Sequence, residues 1–162
     1  MVGMTAWHTL VTRAKIRLGQ KVLIMSGGSG MGIAGIQITK LCNCDVIATA
    51  GNQEKIEKCI ELGADYVVNR RESDWYKKVR EITGQCVDII YEHIGKSVFR
   101  QELGLLKMGG ALVSTGATTG YDSPVDLRYL FLEEQTFWMP HKEQDRIRSN
   151  TVGKSETNKA NY

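Results

Sequence analysis

The residues of this chain whose types and spacing could bind a ligand begin with a run of glycines. Residues 26–32 read Ser-Gly-Gly-Ser-Gly-Met-Gly, and they stand between an apolar run at 21–25 and a helical pattern at 33–40. Glycines let the backbone turn tightly and approach a phosphate, while the N–H groups and the dipole at a helix start attract negative charge. A strand, a glycine-rich turn and a helix in this order predict a diphosphate-binding loop.

Several glycines compete for roles in this loop. The pattern Gly-x-Gly-x-x-Gly is met literally by Gly30, Gly32 and Gly35. Because the strand ends near residue 25, we predict that the turn uses Gly27, Gly30 and Gly32, and that Gly35 packs the helix on the sheet. The alternative is a flexible surface turn, although ordinary turns need only one or two glycines. The predicted loop contacts to a dinucleotide are Gly27, Gly28, Ser29, Gly30, Met31 and Gly32.

The end of the second predicted strand indicates which dinucleotide is bound. Residues 49–53 read Thr-Ala-Gly-Asn-Gln and contain no acid. An Asp or Glu about 20 residues past the loop usually accepts a hydrogen bond from the ribose 2′-hydroxyl of NAD, and it would repel a 2′-phosphate. We therefore favour NADP(H) over NAD(H). Gly51 and Asn52 leave room for a 2′-phosphate and offer hydrogen-bond donors, and Lys55 and Arg70 add positive charge. The alternative is that Lys55 is only a solvent-facing lysine on a helix.

Metal and disulfide chemistry are not indicated. The cysteines are Cys42, Cys44, Cys59 and Cys86, and the histidines are His8, His93 and His141. Only one pair of cysteines is close in sequence, and no second pair completes a four-ligand set. We predict reduced cysteines in or beside the core and no bound metal.

Composition limits the class of protein. The chain has 162 residues, of which 42% are hydrophobic and 24% charged, with a net charge of +3. These values fit one soluble globular domain and do not favour a nucleic-acid or membrane partner. No apolar run approaches the roughly 20 residues of a membrane span. Lys15 and Arg17 interrupt the region where a signal peptide would be apolar, so we expect a cytoplasmic protein.

Hydrophobic periodicity predicts the elements that hold the glycine loop. On one face of a first helix lie Trp7, Leu10, Val11, Ala14 and Leu18. Besides the helix at 33–40, we predict helices at 5–18, 53–62, 73–83 (capped by Ser73), 97–106 and 127–132, and strands at 21–25, 45–50, 66–68, 87–91, 111–115 and 136–139. Alternating strands and helices give right-handed crossovers and a parallel sheet. We predict a doubly wound α/β Rossmann fold with strand order 3-2-1-4-5-6 over residues 1–139, and a mostly disordered polar tail at 140–162, with a helical turn or two at 142–148 as the alternative.

The chain resembles the medium-chain dehydrogenase/reductase superfamily, closest to its quinone reductase and zinc-type alcohol dehydrogenase-like branch. The matching segments include Gly-Met-Thr-Ala-Trp at 3–7, the strand–loop–helix at 22–41, Leu-Gly-Ala-Asp-Tyr-Val-Val-Asn at 62–69 and Tyr-Glu-His-Ile-Gly at 91–95. The resemblance covers residues 3 to 138. Short-chain dehydrogenases fit worse, because their glycine spacing fails and no Tyr-x-x-x-Lys occurs.

The resemblance implies that the chain is a cofactor domain. Family members carry a GroES-like substrate domain, which supplies any zinc ligands, before the segment with which this chain begins, so we expect an excised, truncated or degenerate form. The family's 2′-phosphate binders include a lysine at the Lys55 position and a tyrosine at the Arg70 position. Further cofactor contacts implied at matching positions are Thr5, His93, Ile94, Gly95, Gly116, Ala117 and Thr118. We assign no catalytic residue: His93 is interpreted as cofactor-lining, and its neighbour Glu92 is not expected to contact it, since adjacent strand residues face opposite sides.

Three functions follow from these expectations. The first is an oxidoreductase that transfers hydride from NADPH to a quinone, enone or carbonyl. The second is a cofactor-binding or dimerisation module without turnover, and the third is a nucleic-acid binder. We also predict a homodimer through the apolar edge strand at 136–139, where Phe137 and Trp138 would approach their symmetry copies and Pro140 would limit the pairing.

Overall fold

A computed structural model of the chain describes residues 2–84, 86–128 and 132–138. These residues form five α-helices, one π-helical segment and six strands. The strands are β1 (Lys21–Ile24), β2 (Asp45–Ala50), β3 (Tyr66–Asn69), β4 (Val87–Glu92), β5 (Leu106–Ser114) and β6 (Thr136–Trp138). The α-helices are α1 (Val2–Trp7), α2 (Gly30–Leu41), α3 (Gln53–Glu61), α4 (Trp75–Thr83) and α5 (Phe99–Leu103), and the π-helix spans His8–Arg13.

The six strands form one parallel sheet in the order β3-β2-β1-β4-β5-β6. This confirms the predicted Rossmann topology. The chain builds outward from β1 to one edge, returns to place β4 on the other side of β1, and then builds to the second edge. The two connections leaving β1 and β4 diverge to opposite faces of the sheet, which opens a crevice at the carboxyl ends of these strands.

Alternation along the central strands supplies two hydrophobic cores. On β1, Val22 and Ile24 pack with α1, the π-helix, α2 and α3 on one face of the sheet. Leu23 and the following Met25 pack with α4 and α5 on the other face. All four side chains are fully buried, as an apolar parallel strand covered on both faces requires.

Gly35 brings α2 against the sheet. A Cβ atom on Gly35 would lie 2.9 Å from Cδ1 of Tyr91 on β4. No side chain larger than hydrogen fits between the helix and this buried ring, so Gly35 has the packing position predicted for it.

The first helix differs from the prediction of a regular helix over residues 5–18. The α-helical part begins at Val2, the backbone widens to π-helical geometry over His8–Arg13, and the N–H of Ala14 donates to the carbonyl of Thr9 at 2.9 Å. The wider turns rotate the buried face, so Thr9 and Leu10 are buried while Trp7 is exposed. Leu18 is exposed in a turn beyond the last helical residue, Arg13. A 3.6-residue pattern does not detect such a change of pitch.

Two predictions about the helices that follow β3 and β4 are wrong. Asp74, not Ser73, precedes α4, and it makes no side-chain capping bond. The helix predicted at 97–106 is only α5, because Leu106 already pairs with Val87 in the sheet. The register of β4 on β5 then shifts between Val87 and Ile89, which lets β5 run through residues 109–110.

Three predictions lie wholly or partly outside the described residues: the helix at 127–132, of which 129–131 are not described, the last residue of the strand at 136–139, and the tail at 140–162. Within the described part of the chain, no helix is long and apolar enough to cross a membrane.

Candidate functional site

The turn between β1 and α2 is fixed by hydrogen bonds to β2. The N–H of Ser26 donates to Oγ1 of Thr49 at 3.0 Å, and the N–H of Gly27 donates to the Thr49 carbonyl at 2.7 Å. Ser26 has a φ of 50°, in the left-handed region that a non-glycine residue rarely adopts. These contacts hold the loop in one shape and direct it toward the carboxyl edge of the sheet.

Two glycines of the loop have opposite surroundings. A Cβ on Gly32 would lie 2.3 Å from the Ser26 carbonyl oxygen, so this position must be glycine for the turn to close. A Cβ on the exposed Gly30 would meet nothing within 4 Å. Gly32 therefore serves the fold, and Gly30 leaves open space outside the loop.

Helix α2 begins at Gly30, three residues before the predicted start, and it is capped by Ser29. The Ser29 Oγ accepts from the N–H of Gly32 at 3.0 Å. In an α-helix the first N–H groups have no intrahelical acceptor, so those of Gly30 and Met31 remain to bind something else. Together with the helix dipole they make this end attractive to an anion.

The loop opens onto a cavity of about 410 Å³, which we call the loop cavity. Its walls come from the ends of β1, β2, β3 and β4 and from the loop after β5. The lining residues are Ser26, Gly28, Ser29, Ala50, Gly51, Asn52, Lys55, Arg70, Arg71, His93, Ile94, Thr118 and Thr119. They include three cations and no carboxylate, so the loop cavity suits an anionic ligand.

The cationic end of the loop cavity is built around the start of α3. The Asn52 Oδ1 caps this helix by accepting from the N–H of Lys55 at 2.9 Å. The stem of Lys55 lies over Gly28, where an added Cβ would be 2.8 Å from the lysine Cβ and Cγ. The Nε of Arg71 lies 3.7 Å from the position of a Cβ on Gly51. Lys55 thus packs on Gly28 of the glycine loop, and Arg71 lies beside Gly51, which the sequence assigned to the ribose end.

His93 follows β4 and joins the opposite wall of the loop cavity to the loop itself. Its Nε2 lies 3.1 Å from Oγ of Ser29. Its Nδ1 is buried and has no hydrogen-bond partner among the described residues, and the same holds for Nε of Arg70. Burial lowers the pKa of His93, and the charge of Arg70 lowers it further, so the ring is neutral near pH 7.

Glu92 is turned away from the loop cavity. Its buried carboxylate accepts from the backbone N–H groups of Ile94 and Gly95 and, at 2.9 Å, from the hydroxyl of Ser114. Burial raises the pKa of Glu92, and these hydrogen bonds act in the opposite direction. The described contacts include none between the Glu92 carboxylate and the His93 ring, in agreement with the sequence expectation.

A second cavity, also of about 410 Å³, lies on the far side of a backbone wall. The wall forms where the loop after β5 pairs with the loop after β4: the N–H of Thr119 donates to the Ile94 carbonyl at 2.7 Å, and that of Lys96 donates to the Gly120 carbonyl at 3.0 Å. Phe99 and Glu92 line this second cavity. It is mostly apolar, in contrast to the loop cavity.

The structure brings together about half of the residues that the sequence nominated. Those lining the loop cavity are Gly28, Ser29, Gly51, Asn52, Lys55, Arg70, His93, Ile94 and Thr118. Gly95, Gly116 and Ala117 line the second cavity instead. Gly27, Gly30, Met31 and Gly32 shape the loop and the first turn of α2 without lining either cavity, and Thr5 lies on α1.

Sequence reasoning missed Ser26, Ala50, Arg71 and Thr119 as lining residues. A signal existed for Arg71, since it is a second cation after β3. Thr119 offered no signal, because its place depends on the backbone pairing of two loops that are distant in sequence.

No group of three or more His, Cys, Asp or Glu side chains is arranged to hold a metal ion in the part of the chain that the structure describes. All four cysteines are free thiols. Burial raises the pKa of Cys59 and also that of Cys44, which keeps these two thiols protonated near pH 7.

Comparison with known proteins places the site in context. A family model described as zinc-binding dehydrogenase matches residues 30–147. A 2-haloacrylate reductase from a Burkholderia species is 33% identical over 124 residues, which is 76% of this chain and 37% of that protein. The chain therefore spans little more than a third of the length of this curated relative.

Solved structures show the same likeness. A crotonyl-CoA carboxylase/reductase in complex with NADP superimposes with a TM-score of 0.78 at 26% identity, over 86% of this chain and 41% of that one. The nucleotide-binding subdomain of an enoylreductase domain from Mycobacterium tuberculosis gives a TM-score of 0.80 at 26% identity, over 94% of this chain and 87% of that one.

Proposed function

Because this chain belongs to the zinc-binding dehydrogenase family, we propose that it is the nicotinamide dinucleotide-binding domain of an oxidoreductase, with NADP(H) as its cofactor. The observation that carries the proposal is the loop cavity: a glycine turn at a helix start opens into a space lined by three cations and no carboxylate. A dinucleotide phosphate brings negative charge to both parts of such a site, at its diphosphate and at its 2′-phosphate.

The diphosphate is expected at the start of α2. The N–H groups of Gly30 and Met31 are available there, and the open space beside Gly30 admits phosphate oxygens close to the backbone. The structure around Gly27 and Gly32 holds these donors in place before a ligand arrives, which lowers the entropic cost of binding.

The 2′-phosphate is expected at the cationic end. Asn52 already uses its side-chain oxygen to cap α3, so its amide NH₂ group remains as a donor. Lys55 and Arg71 flank this position, and Arg70 lies deeper with its Nε buried. An acid at position 52 would repel the phosphate, and none is present.

The proposed reaction is hydride transfer from NADPH to a quinone, enone or carbonyl acceptor. The nicotinamide supplies the hydride chemistry when bound. The residues of this chain would bind and orient it, and we assign none of them a catalytic role. The alternative is a cofactor-binding or dimerisation module without turnover, which binding of NADPH without its oxidation would favour.

The first test separates NADPH from NADH binding by protein fluorescence. We expect the parent protein to bind NADPH more tightly than NADH. Replacing both Lys55 and Arg71 by alanine should lower the affinity for NADPH by about tenfold or more, because hydrogen bonds to charged groups are removed. NADH binding should change little. A second double variant, in which Lys55 and Arg70 are replaced by alanine, decides which arginine contributes to NADPH binding. The matched control is Lys58→Ala, an exposed position on α3.

A second variant reverses the preference without removing the helix cap. In Asn52→Asp the carboxylate still accepts from the Lys55 N–H, but it repels a 2′-phosphate and accepts from a 2′-hydroxyl. We expect NADH to bind more tightly than NADPH in this variant. Parent protein that binds NADH more tightly than NADPH, or equal losses for both cofactors, would contradict the NADP assignment.

A further inference from the structure

His93 and Ser29 form a contact that the proposed function does not yet use. The two residues are 64 positions apart and meet through Nε2 and Oγ at 3.1 Å, at the edge of the loop cavity. A serine hydroxyl has one hydrogen to donate and two lone pairs to accept with. One lone pair of Ser29 is taken by the N–H of Gly32. The direction of the His93 bond therefore decides where the Ser29 hydrogen points.

The surroundings of Nδ1 favour one tautomer of the neutral ring. Nδ1 is buried without an acceptor among the described residues, so a hydrogen there would be a buried, unsatisfied donor. The positive charge of Arg70 lowers the pKa of His93 and so favours the neutral ring. The hydrogen consequently belongs on Nε2, and His93 donates to Ser29 rather than accepting from it.

We propose that His93 is a positioning residue for the dinucleotide: its Nε2–H occupies the second lone pair of Ser29 and turns the serine hydroxyl hydrogen into the loop cavity, as a donor to the diphosphate. With the opposite tautomer the Ser29 hydroxyl would donate its hydrogen to Nε2 of His93, and none would be left for the diphosphate. This rests on the proposed function, and it goes further by linking the end of β4 to phosphate recognition at the start of α2. The Ser29 side chain then both caps α2 and binds ligand.

The test compares NADP⁺ with adenosine 2′-monophosphate, which carries the 2′-phosphate but no diphosphate. In His93→Leu we expect NADP⁺ to bind about tenfold to a hundredfold more weakly, because the charge-assisted hydrogen bond from the Ser29 hydroxyl to the diphosphate is lost. Binding of adenosine 2′-monophosphate should be unchanged. His93→Gln, whose amide N–H reaches close to the position of Nε2, should restore most of the NADP⁺ affinity. In a Ser29→Ala background, His93→Leu should cause no further loss.

The outcomes separate this inference from the proposed function. If neither compound binds the parent protein, the proposed function fails. If both bind but His93→Leu weakens them equally, or glutamine does not rescue, His93 has a general structural role and the inference is overturned. The imidazole nitrogen resonances of the unliganded parent give an independent test that needs no variant: a hydrogen on Nδ1 instead of Nε2 at neutral pH also overturns it.

Discussion

At the scale of single residues, two glycines of one loop should respond differently to substitution. Gly30→Val meets open space, so we expect a folded domain that has lost most of its NADPH binding because the side chain blocks the backbone from phosphate. Gly32→Ala should instead destabilise the domain, since its Cβ would collide with the Ser26 carbonyl. Thermal melts and fluorescence titration measure the two effects. A folded Gly30→Val protein with unchanged NADPH affinity would remove the diphosphate from this loop.

Glu102 places a carboxyl group in the hydrophobic core. It is fully buried on α5, and neither carboxylate oxygen has a hydrogen-bond partner among the described residues. Burial raises its pKa well above the ordinary value; the nearby Glu92 adds to this and Arg70 opposes it. The folded state therefore holds a proton on Glu102 that the unfolded chain releases above its ordinary pKa near 4.5.

This proton makes stability depend on pH. The folded state binds more protons than the unfolded state, so the free energy of unfolding falls as pH rises from about 4.5 to the raised pKa, by up to about 1.4 kcal/mol per pH unit. We expect Glu102→Gln to flatten this fall and to be more stable than the parent at pH 8. Urea unfolding between pH 5 and 8 measures this fall in stability, and Glu81→Gln, at an exposed position of α4, is the control. A parent protein whose stability rises with pH across this window would contradict the prediction.

At the scale of elements, β6 is the strand with the most consequence for assembly. It pairs with β5 on one side and forms an edge of the described sheet. Phe137 is partly buried and packs against the core, with its ring centroid 5.9 Å from that of Phe99. Trp138 lies on the other face, 37% exposed, with the Arg13 guanidinium 4.8 Å from its ring centroid. An apolar edge of this kind favours pairing with a second copy.

We expect a homodimer through this edge, which Trp138→Lys dissociates because it places a charge beside the pairing strand. Phe137→Lys is the poorer test, since it would also disrupt the core around Phe99. Light scattering at high micromolar concentration measures the mass. Tyr66→Lys changes an exposed aromatic residue on β3, the opposite edge of the sheet, and should leave the dimer intact. A monomeric parent, or a dimer lost only in Tyr66→Lys, would count against β6.

At the scale of the whole molecule, the question is whether this chain turns over its cofactor. The loop cavity offers groups that bind and orient, and we assign no group that donates or removes a proton at an acceptor. We expect the chain to bind NADPH, and oxidation of NADPH with a panel of quinones and enals tests the proposed hydride transfer. Binding without oxidation would favour the module without turnover, whereas rapid oxidation with one acceptor would make the mostly apolar second cavity the first place to look for the substrate.

Much of this protein is determined by its sequence alone. The strand, glycine loop and helix at 21–41, and the alternation that follows, predict the sheet order correctly, because local steric and hydrophobic rules fix which segments are strands and right-handed crossovers fix how they connect. Local chemistry likewise predicts Gly35 as a packing position and a helix that begins directly after Asn52.

Tertiary structure decided what depends on contacts between distant segments. The π-helical turn after α1, the early start of β5 at Leu106 and the division of the nominated residues between two cavities all follow from packing that no local pattern encodes. The bond between Ser29 and His93 is the clearest case, since it joins two loops only because β1 and β4 are neighbours in the sheet. Sequence periodicity specifies which face of an element is buried, whereas the partner of a polar side chain is set by how the finished sheet brings strand ends together.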